Sequence, residues 1–341
     1  MSKAVTSSTQ RKPTIRTVAA AAGVSTATVS RVMSGAETVK PELAQRVRQI
    51  AQQLGYRPSE AARGLARGAV RNIGVLMPDL SNAYFHDIVK SMHDTASESG
   101  YRMLTADHAT GPDHEFETVV DLMGHVDGLA LLSSRIDLTR LRELARMDTP
   151  VVLINRVELG IDLPMVGVDS FNATLEICAH LSKLGHRRIV YLSGSDLAWQ
   201  DRERWRGIET SSRVLGIQAT RVESDGTIET SYDAVDEALR HTPTAIVCFN
   251  DLSAVGALSR LRELGITVPH DISVTGFDDI AIGRHIDPSL TTANSPRVEL
   301  GRVGWSLLHD SLQGRRSTEN SILLPAPLIT RASTGPAPGA A

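Results

Sequence analysis

The sequence predicts a small all-α helix-turn-helix head followed by an α/β body of two doubly wound parallel-sheet lobes with a cleft between them. Three observations point there. Apolar residues in the first sixty positions recur at helical spacing in short segments, β-branched runs alternate with helical stretches beyond Asn72, and charge divides where these regions meet. An apolar content of 41% over 341 residues suits two or three separately cored domains.

In the head, Ile15, Val18, Ala19 and Ala22 fall at i, i+3, i+4 and i+7, with Thr14 placed to cap the first turn. Gly23 supplies a tight turn, and Ser25 caps a second helix running to about Met33. Val29, Val32 and Met33 share the face that packs on the first helix, which leaves Thr26, Ala27, Ser30 and Arg31 facing outward. A third helix, Pro41 to Leu54, turns Leu43, Val47, Ile50, Ala51 and Leu54 inward and stops at Gly55. The basic stretch that follows, YRPSEAARGLARGAVRN, is helix-prone but weakened by Gly64 and Gly68, each costing about 1 kcal/mol relative to alanine.

The net charge of −3 conceals a division. Residues 1–72 hold twelve lysines and arginines against three glutamates, a balance of +9, and the remainder carries −12. Such a head is expected to meet a polyanion that the body repels. A helix-turn-helix places the N-terminal end of its second helix against base edges in the major groove. The guanidinium of Arg31 suits guanine O6 and N7, worth roughly 1–3 kcal/mol of discrimination, and Thr26 and Ala27 suit a thymine methyl. Thr14, Ser25, Thr28 and Ser30 are assigned to the DNA backbone.

In the body the candidate strands are 73–78, 102–106, 128–132, 151–155, 188–194, 245–250 and 272–277, separated by helical stretches such as SAVGALSRLRELG. Ligands of open parallel sheets bind beyond the carboxyl ends of the strands. Asp79, Asp107, Asn155, Asn250 and Asp278 each stand just after a strand, where a turn or helix cap is the alternative role.

Other classes lack their signatures. No apolar run spans a bilayer and the start has no secretory segment, so a cytoplasmic protein is expected. Cys178 and Cys248 lie in apolar stretches without partners at metal-ligand spacing and read as reduced core residues. Nucleotide-loop, dinucleotide and zinc-protease motifs are absent, so neither an enzyme, a cofactor nor a metal is expected.

The run TIRTVAAAAGVSTATVSRVMSG and the later YRPSEAARGL resemble the DNA-binding head and hinge of the LacI/GalR family of transcription regulators. PDLSNAYF, LGHRRIVYLSG, RERWRG, FNDLSAVGALSRLRELG, DISVTGFDDI and DPSLTT resemble its effector-binding body, itself similar to periplasmic sugar-binding proteins, so the likeness runs from about residue 14 to 333. The resemblance implies that Thr26, Ala27 and Arg31 read bases and that Leu65, with Ala66, enters the minor groove at the centre of a near-palindromic operator. It implies a homodimer and a polyhydroxylated effector held by Arg204, Asn250 and Asp278, with Asp79, Tyr84, Phe85, Asp169 and Trp199 as further candidates. Phe85 and Trp199 are equally suited to a core. Sugar, sugar acid and nucleoside all fit this set. Ser34 and Lys40 depart from the family's usual Asn and its Ser or Asp cap. The expected organisation is a disordered tail 1–13, the helix-turn-helix domain 14–58, a hinge 59–71 and a body 72–333, with a disordered tail 334–341. Within the body the first lobe takes 72–168 and 295–320, and the second 169–294 and 321–333. The final GPAPGAA has no leucine heptad for a coiled coil.

Overall fold

The computed structural model describes residues 13–33, 38–56, 70–107, 111–315 and 321–339, and the chain divides into two units, 1–71 and 72–341. Residues 1–12 of the expected tail 1–13, Ser34 and the hinge residues Leu65 and Ala66 lie outside the described residues.

In the first unit, helices α1 (Ile15–Ala22), α2 (Thr26–Met33) and α3 (Pro41–Gln53) pack around Val18, Ala22, Val29, Val32, Val47 and Ala51. Thr14 and Thr17 form a reciprocal capping box, each hydroxyl accepting the other's backbone N–H. Gly23 ends α1 in the left-handed region at φ 64°, where a side chain is strained. Ser25 caps α2 by accepting Thr28 N–H at 3.1 Å. Arg46 of α3 donates to Ala22 O at the end of α1, tying the third helix to the turn. Lys40 gives α3 no side-chain cap. Leu54, expected inward, is 38% exposed because α3 has ended at Gln53.

The second unit holds two six-stranded sheets. The first-lobe sheet has the order β11-β5-β4-β3-β1-β2, from β1 (Asn72–Met77), β2 (Arg102–Asp107), β3 (Gly128–Leu132), β4 (Val151–Ile154), β5 (Met165–Val168) and β11 (Ser321–Leu324). All its pairings are parallel. Alternate residues feed opposite faces: Ala130 and Leu132 join one core, Leu129 and Leu131 another. Its helices are α4 (Tyr84–Glu98), α5 (Pro112–Met123), α6 (Leu138–Leu144) and α11 (Arg297–Leu312). At Gly301, α11 approaches α4 so closely that a Cβ would collide with Ile88 O.

The second-lobe sheet has the order β12-β10-β9-β8-β6-β7, from β6 (Arg188–Leu192), β7 (Gln218–Val222), β8 (Ala245–Cys248), β9 (Ser273–Phe277), β10 (Thr291–Ala293) and β12 (Leu328–Ile329). Only the edge strand β12 is antiparallel. Helices α7 (Ser170–Lys183), α8 (Trp199–Leu215), α9 (Ile228–Arg240) and α10 (Asp251–Glu263) complete it. The chain therefore passes between lobes three times, near 169, 295 and 326. These passages are bonded together by Asp169 N to Leu324 O at 2.8 Å and Asn294 N to Pro327 O at 2.9 Å. Both cysteines are buried and free, and burial pushes the Cys178 thiol up to about 11.

Two expected boundaries need correction. Residues 321–324 belong to the first lobe, because β11 adds to the edge of β5 in register before the chain crosses back. The terminal segment is docked rather than disordered as far as Ala337. Gly335 N donates to Ser273 Oγ at 3.1 Å, Ala337 N donates to Leu184 O at 2.8 Å, and Ala337 is buried. The backbone groups of Gly335 and Ala337 satisfy partners on the second lobe, a tertiary role that low-complexity composition does not announce.

Candidate functional site

On α2 the sequence places three residues in an exposed row: Thr26, Ala27 and Arg31 are all exposed, while Val29 and Val32 are buried behind them. Thr28 and Ser30 are half-buried flanks. The hydroxyls of Thr14, Ser25 and Thr28 are already engaged locally, Ser25 and Thr28 lying 2.9 Å apart. Neither α1 nor α2 has an acidic residue in its first turn, so the partial positive charge of both helix starts is left for an anion.

In the body, a cavity of about 470 Å³ takes its walls from both lobes. The first lobe contributes residues beyond β1, β3 and β4: Asp79, Ser81, Asn82, Tyr84, Phe85, Ser133, Arg135 and Asn155. The second contributes Gln200, Arg204, the turn from Asp225 to Glu229, Phe249, Asn250 and Asp278. Six of the eight expected effector residues are thereby brought together: Asp79, Tyr84, Phe85, Arg204, Asn250 and Asp278.

The other two are not among the lining residues. Trp199 is the first residue of α8, and the turn of about 100° per residue aims Gln200 at the cavity while Trp199, 7% exposed, packs beside Gly167. Asp169 is turned to α7, whose first turn it caps by accepting Asn172 N at 3.1 Å and Asn172 Nδ2 at 2.6 Å. Asp107 sits at the exposed end of the edge strand β2, away from the lining.

Arg204 is the most constrained group of the site. Its guanidinium carbon lies 3.7 Å from the Phe277 ring centre and 4.5 Å from that of Phe249. It donates to Phe249 O and stands 3.7 Å from Asp278 Oδ1. Burial drives the Asp278 carboxyl up to about 6, with Arg204 and Arg297 pulling the other way. Ser295 Oγ donates to Asp278 Oδ1 at 3.3 Å. Tyr84, from the first lobe, faces the same group; burial and the Asp278 charge raise its phenol well above the ordinary value. The neighbouring Asp251 reaches about 8, through burial first and the nearby Asp278 second. Asp279 diverges from Asp278 to pair with Arg331 at 2.5 Å and Arg284 at 2.9 Å.

Asn250 is a positioning residue in this arrangement. Its Oδ1 accepts Ser253 N at 2.8 Å as the cap of α10, and its Nδ2 donates to Gly226 O at 3.0 Å, fixing the turn that forms one wall. Backbone strain concentrates here as well. Among the described non-glycine residues with φ in the left-handed region are Ser133, Asn155 and Asp278, all lining the cavity, and Asp279 beside it. Such backbone is held only where surrounding structure over-determines it, and clusters at binding sites.

Several lining residues were not singled out from sequence: Gln200, Ser133, Arg135 and the turn 225–229. Ser133 follows β3 directly, so the strand-end rule that found Asp79 would also have found it. Gln200 had no signal, because the phase of a helix at its first turn is not readable. No group of three histidine, cysteine or acidic side chains among the described residues is arranged to hold a metal.

Residues 14–59 match the model for bacterial regulatory proteins of the lacI family, and residues 178–334 match the periplasmic binding protein-like domain. The HTH-type transcriptional repressor CytR of Escherichia coli (strain K12) is 34% identical over 328 residues, covering 94% of this chain and 96% of the relative. A lac repressor dimer bound to operator and the anti-inducer ONPF superposes with a TM-score of 0.82 at 28% identity, covering 95% of this chain and 100% of that one. The regulator CelR in complex with cellobiose gives a TM-score of 0.72 at 27% identity, covering 94% and 99%.

Proposed function

The chain belongs to the lacI family of bacterial regulatory proteins, and from that premise we propose how its own residues carry out regulation: a homodimer represses transcription by binding a near-palindromic operator, and a small polyhydroxylated effector such as a sugar, bound between the lobes, sets the operator affinity. The observation that carries this reading is a cavity whose walls come from both lobes, so that a ligand within it responds to the angle between them.

Each function has its own residues. Arg31 forks onto a guanine while Thr26 and Ala27 meet bases beside it, and the starts of α1 and α2, with Thr14, Ser25, Thr28 and Ser30, hold phosphates. Leu65 and Ala66 wedge the central base step in the minor groove, which bends the duplex. In the cavity Asp278 accepts hydroxyl protons, Tyr84 and Phe249 give apolar faces, and Arg204 holds Asp278 in place. Closure of the lobes alters the start of the first lobe at Asn72, where the segment 59–71 joins, and so biases the hinge expected there, whose helix propensity Gly64 and Gly68 weaken. No described helix is long and apolar enough to cross a membrane, in keeping with work in the cytoplasm.

The test is selection of duplexes by the full chain from a random pool, followed by affinity measurement on the selected duplex with and without ribose, cellobiose and adenosine. A palindromic consensus whose affinity changes at least about fivefold with one of these supports the reading. A sequence-indifferent pool contradicts it.

A further inference from the structure

We propose that the cavity selects an uncharged ligand and rejects the phosphorylated or carboxylated form of the same molecule. This rests on the effector reading above and narrows its ligand from sugar, sugar acid or nucleoside to the neutral members of that set, a sugar or a nucleoside.

Anion sites in α/β folds are built chiefly from helix N-termini and guanidinium groups. Four helices begin at this cavity: α4 at Tyr84, α8 beside Gln200, α9 at Ile228 and α10 after Asn250. Each carries an acidic residue in the first turn, respectively Asp87, Asp201, Glu229 and Asp251, of which Asp251, raised to about 8, is mostly protonated at neutral pH and leaves its helix start to the Asn250 cap. Three of the four starts are also closed by a side chain: Asn82 Oδ1 accepts Tyr84 N at 3.0 Å, Thr227 Oγ1 accepts Thr230 N at 3.2 Å, and Asn250 Oδ1 accepts Ser253 N at 2.8 Å. The positive ends of these helices are thus already answered by the chain itself. In the head, by contrast, α1 and α2 have no first-turn acid.

The guanidinium groups do not restore the balance. Arg204 donates to Phe249 O, faces Asp278 and lies over two aromatic rings, which leaves its buried Nε without a hydrogen-bond partner. The lining holds four carboxylates, Asp79, Asp225, Glu229 and Asp278, against two guanidiniums, Arg135 and Arg204. A phosphate dianion placed there gains no vacant helix start and meets a net negative wall. Like-charge juxtaposition in a partly desolvated site costs several kcal/mol, so discrimination of about 100-fold or more is expected. A neutral polyol loses nothing to this field and offers hydroxyl protons to the same carboxylates.

The experiment is isothermal calorimetry of the full chain with matched pairs: ribose and ribose 5-phosphate, cellobiose and cellobionate, adenosine and its 5′-monophosphate. At least one neutral member is expected to bind, with its charged partner weaker by about 100-fold. In the double variant Asp225→Asn, Glu229→Gln that gap narrows at least tenfold. A charged member binding as tightly as its neutral partner, a panel with no neutral binder, or an unchanged gap in the variant overturns the assignment. Tight binding of a charged member leaves effector control standing; a bound neutral member that leaves operator affinity unchanged overturns effector control and leaves the charge selection standing.

Discussion

Gln200, in the second lobe, donates its side-chain amide to Ser133 Oγ of the first lobe at 3.0 Å, and the same amide reaches Asn155 O. Ser133 Oγ also accepts Asn155 Nδ2 at 3.0 Å, so three cavity residues from two lobes share one hydrogen-bonded knot. A second tie lies near it: Glu158 Oε1 in the first lobe binds Arg202 of α8 at 2.7 Å as well as Arg156 at 2.8 Å. Both ties join the lobes beside the cavity, and closure on a ligand is expected to depend on them. Substituting Gln200→Ala removes two bonds between the lobes at about 1 kcal/mol each and is expected to weaken a cavity ligand by up to about 30-fold. Calorimetry on the variant reads this directly, and an unchanged Kd means the knot does not couple ligand to closure.

Arg204→Met tests the ion pair at the cavity floor. Removing one partner of a buried pair costs about 3–5 kcal/mol, because the other charge stays buried. Asp278 already titrates at about 6, above the ordinary 3.8, and loss of Arg204 raises it further. A carboxyl raised in the folded state takes up its proton before the unfolded chain does, so the variant's deficit is fully present above the folded value. It shrinks as pH falls through the variant's raised value toward about 6, where wild-type Asp278 also takes up its proton. Urea melts at pH 7.5 and pH 5 should show that narrowing. A deficit independent of pH assigns the loss to the aromatic stacking of Arg204 alone.

The same titration bears on ligand affinity. Below about pH 6 Asp278 becomes protonated and ceases to be a full acceptor. Affinity for a neutral polyol is expected to be flat above pH 7 and to fall below 6. A flat profile down to pH 5 removes Asp278 from the set of ligand acceptors.

His186 is buried, with Nδ1 3.0 Å from Thr244 Oγ1 and Nε2 3.0 Å from Gly335 O, and it clamps the terminal segment onto the second lobe. Deleting residues 334–341 removes Ala337 N from Leu184 O and Gly335 O from His186 Nε2, and is expected to cost about 1–3 kcal/mol. Burial lowers the His186 pKa, so the unfolded chain protonates first and stability declines as pH drops below 6.5. Thermal denaturation of the truncated chain should show a lower Tm; an unchanged Tm means the docked segment contributes nothing.

Much of this was legible in the sequence because it is encoded locally. Thr14, Gly23 and Ser25 punctuate the head where short-range capping rules place them, and runs such as GLALL and AIVCF can be little other than buried strands. The missed strands are four residues or fewer or lie at an edge: MVGV contains a glycine, QATRV is half polar, and β10 to β12 sit among prolines. Their assignment depends on neighbours distant in sequence. In the cavity, Asp79, Asn155 and Asp278 were legible as polar residues after apolar strands. Trp199 and Asp169 fell away because helix phase and capping are decided by packing, and Gln200 and the turn 225–229 became visible only once both lobes were assembled.

On the DNA side, Arg31→Ala is expected to relax preference at one base pair in each half-site, by about 1–3 kcal/mol, while leaving other positions unchanged. Selected-pool sequencing of the variant reads this. Uniform weakening across sequences makes Arg31 a phosphate contact.

Linkage between the two sites is the most direct test. The affinity of the full chain for its selected operator is measured by fluorescence anisotropy as a neutral cavity ligand is raised to saturation, and the ligand's Kd is measured with and without operator. The account predicts a change of about 5- to 150-fold in operator affinity and the same factor in ligand affinity. Operator affinity that stays constant at saturating ligand contradicts it.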